Sequence, residues 1–178
     1  MNKKNIYLLT QAAMIAALYV VLTFVANAFG LANYAVQVRF SEALTILPLF
    51  TPAGIPGLFI GCLISNILTG CALPDIVFGS AATLIGALGT WKLGNTWNKA
   101  AGNFFSPGAK NIFLAPLPPI LANTIIVPFV LFYAYGIRPL WLSFLTVGAG
   151  EVISCGVLGL LLAFTLNKYR SQLFGKNL

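Results

Sequence analysis

The chain has 178 residues, of which 59% are apolar and 7% are charged. Soluble domains usually carry about 25% charged residues, so this composition excludes an ordinary soluble protein. It also excludes a disordered chain, because disorder requires low hydrophobicity and high charge. We therefore expect an all-α integral membrane protein that forms one domain over residues 1–178.

Several chemical classes are excluded by missing residues. The chain contains no His, which rules out His-based catalysis and His-ligated metal sites. The three Cys lie inside apolar runs without metal-ligand spacing, so we interpret them as small core residues and expect no metal. No phosphate-binding loop and no nucleophile–base pair is present, so we expect neither an enzyme nor a cofactor. The net charge of +7 is not arranged as a basic stripe, which argues against nucleic acid as a partner.

The apolar runs predict the membrane spans, each of which needs about 20 residues. The first span is 6–29, which is longer than the apolar part of a signal peptide. The run 41–69 is too long for one span and carries Pro and Gly in its middle. It therefore predicts a short helix at about 41–50 and a second helix at about 55–70. Three further spans are predicted at 76–91, 112–135 and 140–166.

The basic residues favour six spans with both termini in the cytoplasm. That arrangement places the loop 92–111, predicted to be the longest irregular segment, on the same side as the termini. The cytoplasmic side then holds eight basic residues, and the outer side holds Arg39 and Arg138. A five-span arrangement separates the basic residues less well, seven to three, so the positive-inside rule prefers six.

All three acidic residues fall at or inside predicted membrane segments, where a charge costs several kcal/mol and usually marks a functional site. Glu151 lies about twelve residues into the last span, roughly 18 Å deep at 1.5 Å per residue. A cation or a pair of N–H donors on a ligand could complement it. Asp75 is either a ligand contact or a first-turn acid favoured by the helix dipole. Glu42 could instead pair with Arg39, three residues earlier.

Amides and aromatic residues supply further candidates. Asn66 and Asn123 lie inside apolar runs, either as hydrogen bonds between helices or as ligand contacts. Tyr34, Phe78 and Trp141 are predicted near the same outer side as the acids. They could stack on a planar heterocycle, or they could anchor the chain at the membrane interface.

The first predicted span carries small residues at helical spacing. Ala12 with Ala16, and Ala13 with Ala17, form two small-xxx-small pairs, which allow close helix approach. These pairs indicate either internal packing or a docking surface for a partner protein.

Four segments resemble a known family. They are VRFSEALTILPLFTPAGIPGLFIGCLISNILTG, DIVFGSAATLIGAL, PLPPILANTIIV and VGAGEVIS, which fall between about residues 36 and 156. Together with the Ala motif at 12–17, they resemble the substrate-binding subunits, or S-components, of energy-coupling factor vitamin transporters. More narrowly, the chain resembles the queuosine-precursor transporter family.

The resemblance implies a six-helix fold and a transport mechanism. Such a subunit would bind a nutrient at the outer face of the cell membrane and dock on a transmembrane scaffold tied to two ATPases. It would then topple in the bilayer to release the nutrient inside. The substrate would be a 7-substituted deazaguanine, such as the aminomethyl base or queuine. Pockets built from later helices would suit Asp75, Asn123, Trp141 and Glu151 better than Glu42.

Three other interpretations stay open at this point. One is an S-component for a different planar vitamin. Another is a stand-alone secondary transporter that uses Glu151 as a proton-coupling acid. A third is a membrane protein with a structural or assembly role and no ligand, against which the buried acid argues.

Overall fold

The computed structural model describes residues 3–30, 38–100 and 109–173, with side chains described over 3–30, 38–95 and 111–169. Every regular element in these ranges is helical, which confirms the all-α class. In chain order the elements are α1 (Lys3–Ala28), a 3₁₀ helix (Phe40–Leu49), α2 (Gly54–Leu68), α3 (Leu73–Ala100), α4 (Ala109–Leu114), α5 (Leu117–Tyr135), α6 (Leu140–Glu151), a π-helical segment (Val152–Leu158) and α7 (Gly159–Leu173).

Four helical stretches in the described ranges are long and apolar enough to cross a membrane: Lys3–Ala28, Leu73–Asn95, Asn111–Tyr135 and Leu140–Tyr169. Two shorter apolar helices, Phe40–Leu49 and Gly54–Leu68, accompany them. The predicted division of 41–69 into two helices is therefore confirmed. Six bilayer spans and cytoplasmic termini stay predictions.

α3 begins at Leu73 and contains the predicted span 76–91, with Pro74 and Asp75 in its first turn, where both residue types are favoured. The prediction of an irregular loop over 92–111 was wrong in its first part, because α3 continues to Ala100. Residues 92–100 contain no Pro, and the helix continues through Gly94 and Asn95 although both are poor helix formers. Residues 101–108 lie outside the described part of the chain.

α1 and α2 run side by side in the same direction, and small residues bring their backbones together. A Cβ on Gly57 would lie 2.8 Å from the carbonyl oxygen of Ala12, and one on Gly61 would lie 3.0 Å from that of Ala16. Gly61 also faces Tyr19, whose Cβ would be only 2.7 Å away. Ala12 and Ala16 are buried in this contact, which explains one small-residue pair as internal packing.

The 3₁₀ helix lies at the centre of the bundle, in contact with α1, α3, α7 and the π-helical segment. It runs antiparallel to α1, because Thr51 donates a hydrogen bond to Gln11 at one end and Thr23 donates one to Ser41 at the other. Its apolar residues Ile46 and Leu49 are each 1% exposed. This central position carries Glu42, near the start of the helix, into the interior of the protein.

Candidate ligand-binding site

Glu42 of the 3₁₀ helix and Glu151 at the end of α6 meet inside the bundle. Their exposed fractions are 2% and 8%. Cys155, one turn beyond Glu151, lies against both acids: its Sγ is 3.1 Å from Glu151 Oε2 and 3.4 Å from the backbone oxygen of Glu42. Because buried carboxylates need compensating partners, the donors around this pair define the site.

Neutral side chains donate hydrogen bonds to the Glu42 carboxylate. The Tyr19 hydroxyl, from α1, donates to Oε1. The Asn123 amide, from α5, donates to Oε2 at 3.4 Å. Glu42 thereby links the 3₁₀ helix to α1 and to α5. Asn123 projects from α5 toward the acids and is a candidate ligand contact.

A small cavity, called here the inner pocket, lies against both acids. Its volume is about 10 Å³, enough for about one water-sized group. The residues that line it are Arg39, Glu42, Gly79, Thr83, Asn123, Val127, Val147 and Glu151. The pocket therefore combines two carboxylates, one guanidinium and one carboxamide with apolar walls.

A larger cavity of about 220 Å³, called here the outer cavity, lies at the end of the bundle where α1 and α5 end and α3 begins. It is lined by Thr23, Asn27, Arg39, Asn66, Thr69, Cys71, Asp75, Leu131, Tyr135 and Ile137. Asp75 is 4% exposed and accepts a hydrogen bond from Tyr135 at 3.1 Å. Tyr135 in turn accepts one from the backbone N–H of Ala72 at 3.0 Å.

Arg39 lines both cavities and so lies between them. It precedes the 3₁₀ helix with extended backbone angles, φ −106° and ψ 109°. Its backbone N–H donates to Ser154 at 3.1 Å, and its charge interacts with both Asp75 and Glu42. The side chain therefore acts between the two cavities, rather than as a member of one helix face with Glu42.

The predicted site residues thus divide into two groups. Glu42, Glu151, Asn123, Arg39, Asn66 and Asp75 line the two cavities. Phe78 and Trp141 line neither cavity, and their exposed fractions are 54% and 64%, as expected of side chains that face lipid or the interface. Tyr34 lies outside the described residues.

Sequence reasoning missed four side chains that surround the acids: Tyr19, Thr83, Tyr135 and Cys155. Cys155 is buried, as predicted for a small core residue, and its thiol contacts the Glu151 carboxylate and the backbone oxygen of Glu42. Glu42, Glu151 and Cys155 each offer one ligand atom within 4.8 Å of the others, so these three could hold a metal ion. The expectation of no metal stays a prediction.

A third concave surface, called here the α1 groove, lies toward the opposite end of the bundle. Its volume is about 510 Å³. Its lining is mostly apolar: Asn5, Leu8, Leu9, Ala12, Ala13, Ala16, Pro52, Ala53, Pro56 and Ile60. Ala13 is exposed in the groove, whereas Ala17 is exposed but does not line it.

Comparison with known proteins identifies the family of the chain. A relative from Lactococcus lactis subsp. cremoris (strain MG1363), named queuosine precursor transporter QueT, is 34% identical over 85 residues. The match covers 48% of this chain and 50% of the relative, so the chain spans about half the length of the relative it matches. No solved structure matches the chain significantly. A family model described as QueT transporter matches residues 9–168, so the chain belongs to the QueT transporter family.

Proposed function

We propose that the chain is the substrate-capture subunit of an ATP-driven energy-coupling factor importer in the cell membrane. Its substrate would be a queuosine precursor, a 7-substituted deazaguanine. The observation that carries this proposal is the pair of cavities that share Arg39 and are lined by three buried acids. Carboxylates buried among apolar walls favour a ligand rich in N–H donors or carrying a positive charge.

A deazaguanine fits this chemistry. Its guanine-like edge carries N–H donors, its ring is flat, and an aminomethyl arm adds a cation. The outer cavity offers Asp75 and Asn66 as polar partners and the Tyr135 side chain on its wall. An anionic vitamin would instead require several basic side chains. The relative from Lactococcus lactis, named a queuosine precursor transporter, supports the same substrate.

The proposed direction of transport follows from the positions of the cavities. The outer cavity lies at the end of the bundle away from the N-terminal end of α1. With six spans and cytoplasmic termini, as we propose, that end faces the outside of the cell. A nutrient would therefore enter the outer cavity directly from the external medium.

The α1 groove would be the docking surface for the transmembrane scaffold subunit. It is mostly apolar, the small residue Ala13 is exposed in it, and it lies near the proposed cytoplasmic end of the bundle. Small residues allow another helix to approach closely within the membrane. Hydrolysis of ATP by two partner ATPases would then drive toppling and release.

Ligand-induced stabilisation of the purified chain tests the proposed substrate. A ligand that binds only the folded protein stabilises it by about 2.7 kcal/mol at a hundredfold excess over Kd. We expect thermal shifts with the aminomethyl base or queuine, and none with guanine, riboflavin or thiamin. A shift with riboflavin or thiamin alone would replace the substrate and keep the architecture. Absence of a shift with every deazaguanine would refute the proposed substrate.

The alternative, a stand-alone proton-coupled transporter, differs from this proposal in the energy source that drives uptake. We expect uptake by proteoliposomes to require the scaffold, both ATPases and ATP, and to survive an uncoupler. Uptake by the chain alone, abolished by the uncoupler, would favour proton coupling through Glu151.

A further inference from the structure

The size of the inner pocket limits which part of a ligand can reach Glu42 and Glu151. At about 10 Å³, the pocket accepts about one water-sized group. A whole fused heterocycle is too large for it. The outer cavity, at about 220 Å³, offers more than twenty times this space, so a ring system fits there.

The charges in the inner pocket favour a cation. Two carboxylates line it, and their hydrogen-bond donors are a phenol, a carboxamide and a thiol, all neutral. Arg39 contributes one positive charge to the lining. When both acids are ionised, one negative charge is left over in a buried place, which is costly. A terminal –NH₃⁺ group is about the size of water, carries three donors and supplies the missing charge.

Gly79 brings the two cavities close together. It lines the inner pocket, and a Cβ at this position would lie 3.1 Å from Asp75 Oδ1 and 3.3 Å from Asn66 Nδ2. Both of those residues line the outer cavity. The missing side chain therefore lets Asp75 and Asn66 of the outer cavity pack directly against the wall of the inner pocket.

We propose that the inner pocket is a subsite for a terminal primary ammonium, and that the heterocycle occupies the outer cavity beside Asp75 and Tyr135. This inference rests on the proposed function, and it decides which end of the substrate enters first. It selects the aminomethyl base over the corresponding nitrile, which has no charge on its arm. It also selects against queuine, because the nitrogen of queuine's arm carries a further ring and is not terminal.

Isothermal titration of the full-length, detergent-solubilised protein tests this with ligands that differ only in their arm. The aminomethyl base should bind at least about tenfold more tightly than the nitrile, since a charge-assisted hydrogen bond is lost. Queuine and the dimethylaminomethyl base should also bind more weakly. Equal affinity for the amine and the nitrile would overturn the ammonium subsite while leaving the proposed function intact. Failure of every deazaguanine to bind would overturn both.

Variants locate the ammonium within the site. Glu151→Gln should reduce the preference for amine over nitrile to within about threefold, whereas Asp75→Asn should preserve the preference even if both affinities fall. Loss of the preference in Asp75→Asn alone would place the ammonium in the outer cavity and refute the inference.

A second variant serves if Glu151→Gln does not fold. Val147→Ala enlarges the inner pocket and should raise the affinity for the dimethylaminomethyl base relative to the aminomethyl base. Such a gain cannot come from damage to the fold. An unchanged ratio between these two ligands would contradict the placement of the amine beside Val147.

Discussion

The hydrogen bond from Tyr19 to Glu42 allows a direct test of the buried acid site without any ligand. Tyr19→Phe removes one hydroxyl and keeps the ring, which packs between α1 and the 3₁₀ helix. Tyr19 and Glu42 are almost fully buried, at 1% and 2% exposed. The remaining donor to the carboxylate, Asn123, is at 3.4 Å, so it replaces little of the lost interaction.

The expected cost is about 2 kcal/mol in the free energy of unfolding. Hydrogen bonds to charged groups contribute about 1.5–3 kcal/mol, whereas bonds between neutral groups in membrane helices average about 0.6 kcal/mol. A loss of 2 kcal/mol is roughly a 30-fold change in the folding equilibrium. For a chain of this size it should lower Tm by about 4–8 °C.

Equilibrium unfolding in mixed micelles, with SDS as the denaturant, measures this change. Tyr133→Phe is the matched control, because it removes the same hydroxyl from a side chain that is 79% exposed. The control should stay within about 0.5 kcal/mol of the wild type. In a double-mutant cycle, Glu42→Gln should make Tyr19→Phe much less costly. Equal stability of the two Tyr→Phe variants would show that Tyr19 does not hold the carboxylate.

Three further predictions concern packing, sidedness and docking. Gly61→Ala should destabilise the chain by about 1–3 kcal/mol through overpacking, as measured by the same unfolding assay; Gly156→Ala, with its nearest neighbouring atom at 3.8 Å, should not. Cys71 lines the outer cavity, so an impermeant maleimide should label it on intact cells and a bound deazaguanine should protect it; labelling only after lysis would reverse the proposed topology. Ala13→Trp should fill the α1 groove, so it should abolish co-purification with the scaffold while ligand binding persists. Val21→Trp lies on an exposed part of α1 outside the groove, so it should change neither co-purification nor ligand binding.

The helical architecture could be predicted largely from the sequence, because its causes are local. Long apolar runs require helices in a membrane, and Pro and Gly at 52–57 divide the run 41–69. Falling hydropathy beyond residue 91 predicts the end of the span there, but α3 continues to Ala100. Hydropathy reports where the chain meets lipid, and it does not report where a helix ends.

The role of Glu42 could not be predicted, because its partners are distant in sequence. Spacing allowed a pair with Arg39, three residues away on one helix face, and the charges of the two residues do interact. The extended backbone at Arg39 instead places this residue before the helix, between the two cavities. Glu42 is held by Tyr19 and Asn123, which are 23 and 81 residues away.

The sequence also could not decide which aromatic side chains line a cavity. An aromatic residue near a membrane surface can face lipid, the interface or a cavity, and all three are compatible with the same local sequence. Trp141 and Tyr135 lie near the two ends of one short connection, yet Trp141 is exposed and Tyr135 lines the outer cavity. What distinguishes them is the position of Asp75 on α3, 60 residues from Tyr135. Because burying an acid is costly, the acids in an apolar sequence indicate where a site lies. The neutral groups that compensate each acid depend on how the helices pack, so the local sequence does not identify them.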